Sequence, residues 1–107
     1  LPTRMVRRSF PKEFLIGVST HSAEAALAAR KDGADFVTFG PVFESPGKGE
    51  PQGLDNLQDV CKQLNPFPVI ALGGVNESNY WQVLEIGASG FAAIRFLNEA
   101  DNFRIHL

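Results

Sequence analysis

At 107 residues the chain has room for one domain built around one modest core. A formal net charge of −2 provides no basic surface for nucleic acid or an anionic membrane, and one cysteine excludes an internal disulfide or a cysteine-rich metal site while fitting a reducing cytosol. No apolar run approaches the roughly 20 residues of a membrane span, and no signal-peptide pattern is present. The opening Leu1-Pro2, without an initiator Met, reads as a cut inside a longer frame.

Residues 2–10 are expected to form a short helix with Met5, Val6 and Phe10 inward and Arg4, Arg7 and Arg8 outward, ended by Pro11. Residues 14–19 are apolar without alternation, the pattern of a strand buried on both faces. Ser22 is placed to cap a helix whose Ala23, Ala26, Leu27 and Arg30 share a stripe, with Gly33 as its left-handed stop. Residues 35–40 are the second strand. A loop rich in glycine and proline follows over 41–53, longer than the usual 2–6 residues of a βα connection, and loops of that length are often functional. Leu54, Leu57, Val60, Cys61 and Leu64 then mark a helix, with Cys61 a core residue rather than a nucleophile. Residues 68–72 form the third strand and end in Gly73-Gly74. Asn76 is expected to cap a helix bearing Tyr80, Val83 and Leu84, with Gly87 as its stop; Tyr80 and Trp81 read as packing residues. Residues 90–95 are the fourth strand, and Asn98 opens a last helix. Short apolar strands alternating with helices make this an α/β chain with a parallel sheet.

The chemistry sits at the strand ends, which in a parallel βα barrel all open on one face. Gly73-Gly74 lets backbone N–H groups approach an anion just ahead of a helix start; the plain alternative is a tight turn. Lys48, in a loop with Ser45, Gly47 and Gly49, is able to fold over a phosphate, or else is a solvated lysine. Ser19 can donate its hydroxyl to a phosphate or satisfy a neighbouring backbone group. His21 has the titration range for acid–base work, and serves equally well as a helix-start residue. Arg95, at the last strand end, suits an anion or a salt bridge at the barrel mouth. No residue set suggests a metal site.

Taken together, segments 16–22, 33–43, 45–48, 52–54, 71–75 and 87–90 resemble the C-terminal half of the thiamine phosphate synthase and thiazole tautomerase superfamily. The likeness runs from about Phe14 to the end of the chain. It implies that residues 1–107 are a single half-barrel, the last four strands of a TIM-type (βα)8 barrel whose N-terminal half is absent. A full barrel needs about 200–250 residues. The implied activity belongs to thiamine biosynthesis in the cytoplasm: coupling hydroxymethylpyrimidine diphosphate to a thiazole phosphate, with release of pyrophosphate and with Mg²⁺.

Under that resemblance Ser19 and Lys48 match groups that hold the pyrophosphate. Ser45 and the Gly73-Gly74 backbone match the thiazole-phosphate side, and His21 matches the histidine with which tautomerase relatives move a proton. Three departures stand out. A Thr-x-Thr-Lys run is replaced by Ser45-Pro46-Gly47-Lys48, a terminal strand serine by Arg95, and the metal-binding aspartates belong to the absent half. Asp32, Asp35, Asp55 and Asp59 do not replace them. Two alternatives stay open: a thiazole tautomerase, or a non-catalytic phosphate-binding module. Partners are expected to be small phosphorylated thiazole and pyrimidine compounds, not nucleic acid or membrane. The half-barrel by itself is expected to be inactive, and either to pair with itself through its open face or to be a piece clipped from an intact protein.

Overall fold

The computed structural model describes residues 2–45, 47 and 49–92. In chain order these form α1 (Thr3–Ser9), β1 (Gly17–Thr20), α2 (Ala23–Lys31), β2 (Phe36–Phe39), α3 (Gly53–Leu64), β3 (Val69–Leu72), α4 (Tyr80–Glu85) and β4 (Gly90–Ala92). The four strands make one sheet in the order β1-β2-β3-β4, every neighbouring pair parallel. Helices α2, α3 and α4 pack onto the strands that flank them and onto one another, so each βα unit repeats the last. This is the partial α/β barrel expected from the sequence.

Local sequence explains most of the element ends. The Ser22 hydroxyl accepts from the Ala25 amide at 3.1 Å and caps α2, and the chain leaves that helix through Gly33 at φ +102°. On α3 the apolar stripe buries Leu57, Val60, Cys61 and Leu64. Alternation along the strands sends Val37, Phe39, Val69, Ala71 and Phe91 into the core beneath the helices, where they meet Ala26, Ala29 and Val83. Ser19, Phe36, Thr38, Ile70 and Leu72 fall on the opposite, open face. Phe36 lies across Gly17 there, and none of these five side chains belongs to the helix-side core.

The N-terminal segment departs from expectation. Phe14 and Leu15 are not strand residues, and Leu15 is 77% exposed. A strand buried on both faces needs a layer on each side, and among the described residues none covers the open face. Met5 and Phe10 are likewise exposed rather than inward. The helix is held instead by Arg7, which was expected to face solvent. Its guanidinium donates to the Gly33 carbonyl (3.0 Å), to the Phe14 carbonyl (3.1 Å) and to the Asp35 carboxylate.

Asp35 also accepts the Ile16 amide at 2.7 Å, so one carboxylate ties α1 to the entry of β1 at the N-terminal end of the sheet. At the last helix, α4 begins at Tyr80 rather than near Asn76. The Asn76 carboxamide oxygen accepts from the amides of Ser78 and Asn79, which makes residues 76–79 a polar turn instead of helix. Leu84 and Trp81 are exposed on that short helix, where packing was expected. Arg95, the end of the fourth strand and the helix expected after Asn98 lie outside the described residues.

The Ile16 amide, aided by Arg7 against a smaller opposing effect of burial, holds the Asp35 carboxyl below its ordinary value. A depressed carboxyl stabilises the fold above its ordinary pKa and loses that contribution as pH falls through the lowered value. Thermal melts should therefore show Asp35→Asn less stable than wild type at pH 7, with the difference shrinking below about pH 4. Equal melting temperatures at pH 7 would show that the tie contributes nothing.

Candidate functional site

Parallel register brings the strand ends to one rim. Thr20 pairs with Phe39, Phe39 with Ala71, and Ala71 with Phe91, so the four strands run level and the ends of β1, β2 and β3 reach one height. At the end of β1, Ser19 is exposed on the open face and its hydroxyl accepts from the Thr38 hydroxyl at 3.3 Å. Thr20 points the other way, is only 2% exposed, and donates its hydroxyl to the Thr38 carbonyl at 2.8 Å. The buried threonine thus anchors the strand pair that carries the hydroxyl pair. Neither threonine was read as a site residue, yet Thr38, a polar residue inside an apolar strand, was a visible signal.

His21 follows at once. Its Nδ1 lies 2.7 Å from the Gly40 carbonyl oxygen. A carbonyl only accepts, so Nδ1 carries the hydrogen and Nε2 is left as the second functional nitrogen. A donor at Nδ1 and a free lone pair at Nε2 suit a group that takes up a proton and returns it.

Beyond Gly40 the chain does not leave the sheet. Val42 donates to the Leu72 carbonyl (2.9 Å) and Phe43 to the Gly73 carbonyl (3.1 Å), which lays residues 42–43 alongside the end of β3. Gln52 and Gly53 donate back to the carbonyls of Pro41 and Val42 at 2.6 and 3.0 Å, closing the base of the long loop. Ser45 is half-buried on that loop; Lys48 lies outside the described residues.

The diglycine has a packing reason as well as a chemical one. Gly73 and Gly74 sit at φ +97° and +69°. A Cβ on Gly73 would meet the Pro41 Cα at 2.5 Å, and one on Gly74 would meet the Glu44 carbonyl oxygen at 2.7 Å. Their absent side chains let the 41–45 segment settle on the strand end. The Asn79 carboxamide donates to the Gly74 carbonyl at 3.0 Å and fixes the turn from the other side. With α4 only six residues long and starting at Tyr80, the helix-start contribution expected here is not built.

The site therefore has two parts. Ser19 and His21 stand at the end of β1, joined through Gly40; Ser45 and the diglycine stand at the end of β3. With β2 between them, β1 and β3 are about 10 Å apart. The two groups are too far apart to hold a single phosphate together.

No cluster of three or more metal-capable side chains occurs among the described residues. Asp35 is committed to Arg7 and Ile16 at the other end of the sheet, while Asp55 and Asp59 are exposed on α3. These residues do not fit a Mg²⁺ shell. Burial pushes the Cys61 thiol up to about 11, which leaves it unreactive at neutral pH.

Comparison with known proteins settles the family. Residues 1–97 match the TMP-TENI family, described as thiamine monophosphate synthase. This chain belongs to that family. The thiamine-phosphate synthase of Methanocella arvoryzae is 45% identical over 97 residues, covering 88% of this chain and 45% of the relative. That of Caldicellulosiruptor bescii is 39% identical over 106 residues, covering 97% of this chain and 48% of the relative. Among solved structures, the Pyrococcus furiosus thiamine phosphate pyrophosphorylase superposes with a TM-score of 0.84 at 33% identity, over 96% of this chain and 49% of that one. The chain spans about half the length of the relatives it matches. A Thermotoga maritima FabK mutant, 22% identical with a TM-score of 0.76, shares the fold alone.

Gly73→Ala should cost at least about 1–2 kcal/mol, from the positive φ and the contact with Pro41 together. Denaturant unfolding measures the loss, and faster amide exchange at Val42 and Phe43 should accompany it. An unchanged midpoint would show that the loop does not rest on this strand end.

Proposed function

We propose that this chain supplies the phosphate-holding rim of a thiamine phosphate synthase, the enzyme that couples hydroxymethylpyrimidine diphosphate to thiazole phosphate and releases pyrophosphate. The observation that carries the reading is the common rim. Ser19 with His21, and Ser45 with Gly73-Gly74, end neighbouring strands at one height in a chain 45% identical to a thiamine-phosphate synthase.

In this reading the Ser19 hydroxyl, with Thr38 beside it, donates to the departing pyrophosphate, and Lys48 closes over the same group from the loop. Charge that builds on the leaving group as its bond breaks is met by a donor and a cation already in place. Ser45 and the backbone of Gly73 and Gly74 hold the phosphate of the thiazole partner, with Arg95 as a further cation for it. Mg²⁺ ligands and the pyrimidine site come from outside this chain, and the reaction takes place in the cytoplasm.

The fixed Nδ1–H of His21 gives one specific reason to keep the tautomerase reading beside it. A histidine held with Nε2 available can shuttle a proton on a thiazole ring.

The test uses the polypeptide that carries these residues. It should form thiamine phosphate from the two substrates. Lys48→Ala should lower kcat/KM about 100-fold, and Ser19→Ala about 10-fold, the weight of one hydrogen bond to a charged group. Isomerisation of a thiazole carboxylate phosphate without thiamine phosphate formation would replace the synthase reading with the tautomerase one. Neither activity, with no binding of inorganic pyrophosphate in calorimetry, would leave a chain without phosphate chemistry.

A further inference from the structure

Asn79 has no part in the chemistry proposed above, yet both ends of its carboxamide are engaged at the end of β3. Its Nδ2 donates to the Gly74 carbonyl at 3.0 Å, and its Oδ1 accepts the Asn76 amide at 2.8 Å. The 76–79 turn is already closed by the Asn76 carboxamide, which accepts from the amides of Ser78 and Asn79. The bond to Gly74 reaches back out of that turn to the diglycine.

Three successive carbonyls are held here. Leu72 accepts from Val42 and Gly73 from Phe43, both in the loop after β2, and Gly74 accepts from Asn79. All three peptide bonds are trans. In a trans peptide the carbonyl and the following N–H point opposite ways, so fixing one aims the other. Asn79 therefore sets the direction of the Val75 amide, which shares its peptide plane with the Gly74 carbonyl. Val75 is 3% exposed, and its N–H donates to no described residue. Buried amides are nearly always paired, so this donor calls for an acceptor from outside the chain.

We propose that the Val75 N–H donates to a phosphate oxygen at the end of β3, and that Asn79 is the residue that positions it. This rests on the phosphate site read at the diglycine and adds to it one donor and the side chain that aims it. A donor fixed before the ligand arrives meets the phosphate charge without reorganising. Hydrogen bonding at the Gly74 carbonyl also polarises the shared peptide, which strengthens its N–H as a donor. The amide belongs to the strand-end turn, not to α4, which starts five residues later.

Amide NMR of the polypeptide that carries these residues, titrated with inorganic phosphate, tests this without any substitution. The Val75 proton should move downfield and its shift should saturate. Asn79→Ala should weaken phosphate binding about 10-fold, the weight of one hydrogen bond to a charged group. In turnover, the same variant should raise KM for the thiazole phosphate by a similar factor and leave KM for the pyrimidine diphosphate unchanged. A purely structural Asn79 would instead lower the melting temperature while the folded protein kept its wild-type phosphate affinity. Phosphate binding by wild type that leaves the Val75 amide still, or an Asn79→Ala variant that binds as tightly as wild type, overturns the proposal and spares the phosphate site. Wild-type protein that binds no phosphate removes the site and this proposal together.

Discussion

Parallel strands kept in register are the constraint on which the rest of this structure depends. With Thr20, Phe39, Ala71 and Phe91 at one height, every residue just beyond them is delivered to the same rim. Nothing else among the described residues brings Ser19 and Gly73 to one rim. The constraint is enforced from the helix side, where strand alternation buries Val37, Phe39, Val69 and Ala71 against α2 and α3; a one-residue slip would turn those side chains onto the open face.

On that frame the two ends of the sheet take different work. At the N-terminal end, Arg7 and Asp35 bind α1, the β1 entry and the turn at Gly33 into one polar knot. At the C-terminal end, the loop after β2 folds back on β3 through the amides of Val42 and Phe43, which sets Glu44, the residue before Ser45, against Gly74. The Arg7–Asp35 tie and the candidate site are thus separated by the length of a strand, the division seen in barrels generally. A carboxylate such as Asp35 is then structural despite its prominence in the sequence.

Much of the fold was legible beforehand. Strand positions, the α2 cap at Ser22, the α3 stripe and the arrival of Ser19, His21 and the diglycine at strand ends follow from local periodicity and turn residues, which act over a few residues and leave a direct trace. What was missed depends on contacts far apart in sequence. Arg7 looks solvated on its own helix and is instead held by groups near residues 33 and 35. Asn76 looks like a helix cap, but its carboxamide closes a turn and the helix starts later. Met5, Phe10 and Leu15 look like core residues because they are apolar, and they are exposed because no described residue packs over them. Thr38 acquires meaning only from its register opposite Ser19.

The functional reading reduces to one spatial claim: the ends of β1 and β3 hold two anionic groups at one rim, pyrophosphate at β1 and the thiazole phosphate at β3. Backbone amide NMR during titration with inorganic pyrophosphate, and then with thiazole phosphate, tests it most directly. The account requires pyrophosphate to shift residues 19–22 and thiazole phosphate to shift residues 43–45 and 73–75, while Arg7, Gly33 and Asp35 at the far end stay still. Shifts confined to the N-terminal end, or pyrophosphate shifts at 73–75 that leave 19–22 still, would contradict it.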